Sequence, residues 1–201
     1  MHRPGISTSC LMDRPLFDAL EELSALTDLV EIFSAAKHFL PLNPDAAESF
    51  DLRYTVHTPT SDGNIAEPVE KLRKASLEVL AESAADADRI NAETLIIHPG
   101  FCMEQDLWPL SLSALKKSLR DLGRMQKNYS VRFAIENLGN WDCCQFRCPE
   151  LLEDIRAADL GFCLDIGHAN LTGTLDAFLR EKPDHMHLHD NHGIWDEHAA
   201  L

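Results

Sequence analysis

Long apolar runs are missing from this 201-residue chain. No stretch approaches the roughly 18 consecutive apolar residues of a membrane-crossing helix, so no membrane partner is expected. The opening residues, Met1-His2-Arg3-Pro4-Gly5, carry no apolar segment after their charges. That predicts no secretory signal and a cytoplasmic protein. Basic residues are scarce: 18 Lys and Arg stand against 33 Asp and Glu, a net charge of -15. Such a surface repels polyanions unless bound cations intervene. It counts against a general nucleic-acid binder, but not against an enzyme that meets phosphate through metal ions. The six cysteines are irregularly spaced and read as reduced thiols rather than a disulfide frame. Cys143, Cys144 and Cys148 cluster, but no second pair follows at zinc spacing. A Gly-rich phosphate loop after the first strand is also absent, which weakens an open, doubly wound dinucleotide fold.

What the chain does have is 45% hydrophobic residues, enough for one domain over 1–201. They alternate between two kinds of segment. Strands are expected at Gly5 to Leu11, Leu29 to Phe33, Leu52 to His57, Thr94 to His98, Val131 to Glu136, Gly161 to Asp165 and His185 to Asp190. Helices are expected after Pro15, from Pro68, from Ser111 to about Lys127, from Pro149 through Ala158, and from Leu175 to Arg180. Residues 34 to 50 read as loop with a short helix. Glu31 is a charge inside a strand, which requires a polar barrel interior, a partner or solvent around it.

Strands alternating with helices predict a parallel α/β sheet. Polar groups at the C-terminal ends of the strands favour a TIM (β/α)8-type barrel, whose active sites form at that face. Seven strands are visible where a closed barrel has eight. The expectation is therefore a C-terminally truncated barrel lacking the last βα unit, with an open edge at which two copies could pair as a homodimer.

The histidines are unevenly spread, six of the ten lying between His168 and His198. Short apolar runs end, strand after strand, in His57, His98, Glu136, Asp165 and His187, with His168 just beyond Asp165. Asp196-x-His198 lies on a loop where alternate residues can both turn toward one ion. A single His at a strand end is usually a hydrogen-bonded residue of no special role. Eight such groups at one barrel mouth would be costly to desolvate unpaired. The set His57, His98, Glu136, Asp165, His168, His187, Asp196 and His198 is therefore expected to bind divalent metal, zinc first, with Mn, Fe, Co or Mg as alternatives. His185, His189 and His192 are expected to be incidental, and nothing argues for His2 or His38. Trp141 and Trp195 could floor a pocket or simply pack.

Glu136-Asn137, Leu164-Asp165-Ile166-Gly167-His168-Ala169, His187-Leu188-His189-Asp190-Asn191 and Asp196-x-His198 together resemble the xylose-isomerase-like TIM-barrel superfamily. That group holds sugar and sugar-phosphate isomerases and epimerases, and endonuclease IV. The resemblance implies that Glu136, Asp165 and His187 are shared metal ligands and the catalytic residues. It implies that His57, His98, His168, Asp196 and His198 match the further ligands of the trinuclear zinc centre in endonuclease IV. The family's fourth shared ligand, a Glu on the eighth strand, has no counterpart here. Ile6-Ser7-Thr8-Ser9 lacks the His-containing, Gly-rich opening of endonuclease IV, and the loop after the second strand lacks its basic, DNA-probing character. Three functions follow as expectations. The first is a metal-dependent isomerase or epimerase of a small sugar or sugar phosphate. The second is an endonuclease IV-like phosphodiesterase at abasic DNA, the one case with a nucleic-acid partner. The third is a non-catalytic truncated barrel.

Overall fold

Leu16, Leu20 and Leu23 fall on one side of a helix, and each is buried. The same spacing in later segments lays helices along one face of a sheet of short apolar strands. The computed structural model describes residues 4–60 and 63–200. Its elements are β1 (Ile6–Ser7), α1 (Leu16–Ser24), β2 (Leu29–Phe33), α2 (Pro44–Glu48), β3 (Arg53–His57), α3 (Glu70–Arg89) and β4 (Thr94–Ile97). They continue with α4 (Trp108–Met125), β5 (Arg132–Glu136), α5 (Leu152–Ala157), β6 (Gly161–Asp165), α6 (Ile166–Leu171), α7 (Leu175–Phe178) and β7 (His185–His187). The seven strands are parallel and neighbour one another in sequence order, β1 through β7. That order, with helices in the crossovers, curls the sheet into a TIM-barrel-like α/β fold. The curl is deep: His187 of β7 reaches Glu31 of β2 across the interior, Nε2 to Oε2 at 3.0 Å.

Side chains alternate between the two faces of each strand. One face packs under the helices in the main core, with Val30, Ile32, Val56, Leu95, Ile97, Phe133, Ile135, Phe162 and Leu164. The other face lines the barrel interior, where Ile96, Ala134 and Cys163 form a small separate cluster. Above that cluster the same face turns polar. Glu31 belongs to this interior, which answers the requirement its position imposed.

Several boundaries differ from the sequence expectation. The first strand covers only Ile6–Ser7, because Ser7 Oγ accepts the Ser9 N–H and the chain turns into a 3-10 helix over Thr8–Leu11. α4 starts at Trp108, not Ser111, with a proline in its first turn. Ser111 instead donates its hydroxyl to the Ala66 carbonyl at 2.7 Å. Pro149 opens a 3-10 turn before α5. α6, absent from the expectation, begins directly at the end of β6 because Asp165 Oδ1 accepts the His168 N–H at 2.7 Å. The seventh strand stops at His187 rather than Asp190, and Asp190 pairs instead with Ala199 in an antiparallel bridge. No helix among the described residues is long and apolar enough to cross a membrane.

One buried charge ties the helical layer together. Arg73 of α3 is 1% exposed. It donates to Glu70, to Ser118 Oγ at 2.9 Å and to Asp121 Oδ2 at 2.8 Å on α4. Hydrogen bonds from Arg73 and Lys117 lower the Glu70 carboxyl to about 2. Asp121 is also held below its ordinary value: burial opposes ionisation, and Arg73 and Arg124 outweigh it. Both groups stabilise the fold above their unfolded pKa values; the Glu70 contribution is lost as pH falls toward about 2, and that of Asp121 as pH falls through its own lowered value. Arg73→Met should cost about 2–4 kcal/mol in urea unfolding at pH 7. Its stability should also fall less steeply than wild type between pH 4.5 and 2.5. Equal slopes would contradict this account of α3–α4 docking.

Candidate metal centre

A parallel strand presents its last interior-facing side chain at the barrel mouth, and five strands here end in or just before such a group. His57 closes β3, Glu136 β5, Asp165 β6 and His187 β7, while His98 directly follows β4. His168 sits in the first turn of α6, and Asp196 and His198 lie on the segment after β7. All eight come to one mouth. His57 Nε2 is 3.0 Å and His98 Nε2 3.1 Å from Glu136 Oε2. His187 Nδ1 is 2.8 Å from Glu136 Oε1 and 3.6 Å from Asp165 Oδ2. His168 Nε2 is 3.4 Å and His198 Nε2 3.0 Å from Asp196 Oδ2.

The structure adds a ninth residue, correcting the expectation that His189 is incidental. His189, two residues past His187 and beyond the end of β7, also turns inward. Its Nε2 lies 3.1 Å from both oxygens of Asp165, and its ring stacks on His198 with centroids 4.1 Å apart. That placement needs Gly167: a Cβ there would lie 2.0 Å from the His189 ring. The signal in the sequence was the glycine between Asp165 and His168, which can be read as a gap for a neighbouring side chain as well as a turn. Asn137 is a second missed contributor. Its side chain bonds the Asp165 backbone twice, at 2.8 and 2.9 Å, clamping β5 to β6. His185 is not isolated either, its Nε2 lying 3.3 Å from Glu31 Oε2. His192 is exposed beside Glu197, and His38 is buried against the Arg14 carbonyl, both away from the mouth. Trp141 meets the His168 ring edge-on at 5.6 Å, whereas Trp195 is largely exposed.

Burial raises the carboxyl pKa values here, and the imidazoles more than reverse it. His187, His57 and His98 hold Glu136 well below its ordinary value. His187 and His189 lower Asp165, and His168 and His198 hold Asp196 well below its ordinary value. Burial disfavours charge on His168 too, yet Asp196, Asp165 and Glu136 lift it to about 9. Ionised carboxylates in so little water require positive charge beside them, as protons on imidazoles or as metal ions.

The ring orientations carry the same demand. His57 Nδ1 lies 2.7 Å from the Thr58 carbonyl and His168 Nδ1 2.9 Å from the Asn137 carbonyl. A carbonyl only accepts, so each Nδ1 carries its hydrogen and each Nε2 faces a carboxylate. On a neutral ring that Nε2 is a lone pair pointed at an anion, so the contact needs either a second proton on the ring or a metal ion between them. His189 Nδ1 and Asp196 Oδ1 are buried with no hydrogen-bond partner. The donor set of imidazole and carboxylate fits a divalent first-row metal. The groups able to hold an ion, with ligand atoms within 4.8 Å of one another, include His57–His98–Glu136, Glu136–Asp165–His187, Asp165–His168–His189 and His189–Asp196–His198. Cys163–His185–His187 is a further such group deeper in the barrel. Cys143, Cys144 and Cys148 belong to no group found among the described residues. Burial pushes the Cys144 thiol up to about 12 and Cys148 to about 11, so neither is a ready thiolate.

Known proteins share this architecture. An uncharacterised protein of Methanocaldococcus jannaschii, MJ1614, is 35% identical over 98% of this chain and 81% of its own length. The crystal structure of a D-tagatose 3-epimerase-like protein superposes with a TM-score of 0.84 at 26% identity, covering 96% of this chain and 78% of that one. The IOLI protein with a bound zinc atom gives 0.75 at 17%, covering 89% and 68%. Endonuclease IV from Thermus thermophilus gives 0.60 at 21%, covering 88% and 70%. At those identities the last two share the fold alone. Residues 44–201 match the family described as xylose isomerase-like TIM barrel. With the strand order and the relatives in agreement, the chain belongs to the xylose isomerase-like TIM barrel family.

Proposed function

We propose that this chain is a divalent-metal-dependent isomerase or epimerase of a small sugar or sugar phosphate. The observation that carries the reading is the meeting of Glu136, Asp165 and His187 from three adjacent strands at one buried point. These three would hold the principal ion, zinc first, with His57 and His98 beside it on Glu136. Such an ion supplies a Lewis acid that draws in vicinal oxygens of the substrate and stabilises the charge left when a proton leaves the adjoining carbon. Glu136 would help hold the ion or move that proton beside it. Asp165 is fixed three ways: its backbone by Asn137, its carboxylate by the His168 N–H and by His189. Ligands on strand ends are rigidly placed, as catalysis at a defined carbon requires. The net charge of -15 suits a small substrate better than a polyanion. The likeness to a D-tagatose 3-epimerase-like protein supports the same class.

A second reading, phosphodiester hydrolysis at abasic DNA, is favoured by the flanking groups. His57–His98–Glu136 and His189–Asp196–His198 offer room for ions beyond the central one. Clustered ions suit an in-line displacement at phosphorus better than they suit isomerisation.

A panel of aldoses and ketoses and their phosphates, incubated with zinc- or manganese-loaded protein in D2O, should show metal-dependent C–H exchange by NMR that EDTA abolishes. Asp165→Asn should lower that rate about 100-fold with the circular dichroism spectrum unchanged. Metal-loaded protein that exchanges no sugar proton, or an Asp165→Asn variant at full rate, would overturn the isomerase reading. EDTA-sensitive incision of an abasic oligonucleotide would establish the second reading instead. Failure to retain that DNA at low salt, where phosphate contacts are strongest, would remove it.

A further inference from the structure

Glu31 is the one buried carboxylate of the barrel interior that none of the described ion-holding groups includes. It sits at the middle of β2, below the mouth, where an apolar residue would be easier to bury. Its Oε2 accepts from His187 Nε2 at 3.0 Å, and His185 Nε2 lies at 3.3 Å from the same oxygen. The Thr55 hydroxyl, directly opposite in the β2–β3 register, donates to it at 3.3 Å. His187 therefore has carboxylates on both sides, with Glu31 on Nε2 and Glu136 and Asp165 on Nδ1.

Two other histidines of the centre show the same division of labour. His57 gives Nδ1–H to the Thr58 carbonyl and points Nε2 at Glu136. His168 gives Nδ1–H to the Asn137 carbonyl and points Nε2 at Asp196. In each, one nitrogen is committed to an acceptor outside the ligand set and the other is offered to the centre. His187 follows the rule with its nitrogens exchanged, and its outer acceptor is a full carboxylate rather than a peptide carbonyl. A carboxylate in that position fixes the tautomer and ring orientation and makes the metal-facing nitrogen a stronger donor.

Building on the metal reading of this site, we propose that Glu31 is a positioning residue. It accepts the Nε2–H of His187 and thereby presents Nδ1 to the ion shared with Glu136 and Asp165. Thr55 aims the carboxylate, so the chain from Thr55 through Glu31 to His187 links the β2–β3 side of the barrel to β7.

The test is zinc binding to metal-free protein, by calorimetry at pH 7, for wild type, Glu31→Leu and Glu31→Gln. Glu31→Leu should weaken the tightest site about 10- to 100-fold. Glu31→Gln keeps an oxygen that accepts from Nε2–H, and should recover part of that loss. Should the leucine variant not fold, the glutamine variant and a histidine 15N spectrum of zinc-loaded wild type still decide the matter. That spectrum should show His187 protonated at Nε2 and metal-bound at Nδ1. His187 metal-bound at Nε2 would overturn the proposal, as would affinities within about twofold of wild type in folded variants. A wild-type protein that binds no zinc at all would fail differently, removing the metal reading and this inference with it.

Discussion

Everything at the barrel mouth follows from one electrostatic constraint. Three carboxylates, Glu136, Asp165 and Asp196, meet at one end of a curled sheet with Glu31 just below them, and all but Asp196 are buried. Charges so placed cannot stay ionised alone, and burial would otherwise protonate them. The chain answers with imidazoles from β3, β6–α6 and β7 and from the segments after β4 and β7, each aimed at a carboxylate oxygen. His57 and His168 each commit Nδ1–H to a backbone carbonyl and turn Nε2 to a carboxylate, a contact that calls for a second ring proton or a metal ion. The apolar layer beneath the helices holds the strands that carry these groups in place.

Much of this was legible in the sequence because parallel strands obey a simple rule. A short apolar run ending in His, Asp or Glu places that group at the C-terminal rim, and repeating it strand after strand places all of them together. The seven strands and the convergence of His57, His98, Glu136, Asp165 and His187 came from that rule, while His168 was read from its place just beyond Asp165 and Asp196 and His198 from their alternation on a loop. What could not be read were features set by contacts between distant segments. The partner of Glu31 is His187, 156 residues away, so only the degree of curl reveals it. His189 looked incidental because only one of His185, His187 and His189 was expected to reach the centre, whereas the gap at Gly167 admits the His189 ring beside Asp165 as well. α6 escaped notice because Asp165 was read as a ligand only, and not also as the cap that starts a helix.

Family membership narrows the chemistry without choosing it, since one barrel serves many reactions. Two observations pull in different directions. The acidic surface and the D-tagatose 3-epimerase-like neighbour favour a small polyol. The flanking groups around His57–His98 and Asp196–His198 favour a multinuclear centre of the kind used at phosphate. Both readings share the same central three residues and the same need for divalent metal.

The claim on which the account rests is that bound metal, rather than protons alone, satisfies the convergent carboxylates and imidazoles. Native mass spectrometry of the zinc-reconstituted, buffer-exchanged chain tests it most directly, by counting ions held per folded protein. The account predicts more than one zinc ion retained per chain, with the count reduced when His57 and His98 are both replaced by alanine. A folded chain that retains no zinc under these conditions would contradict it.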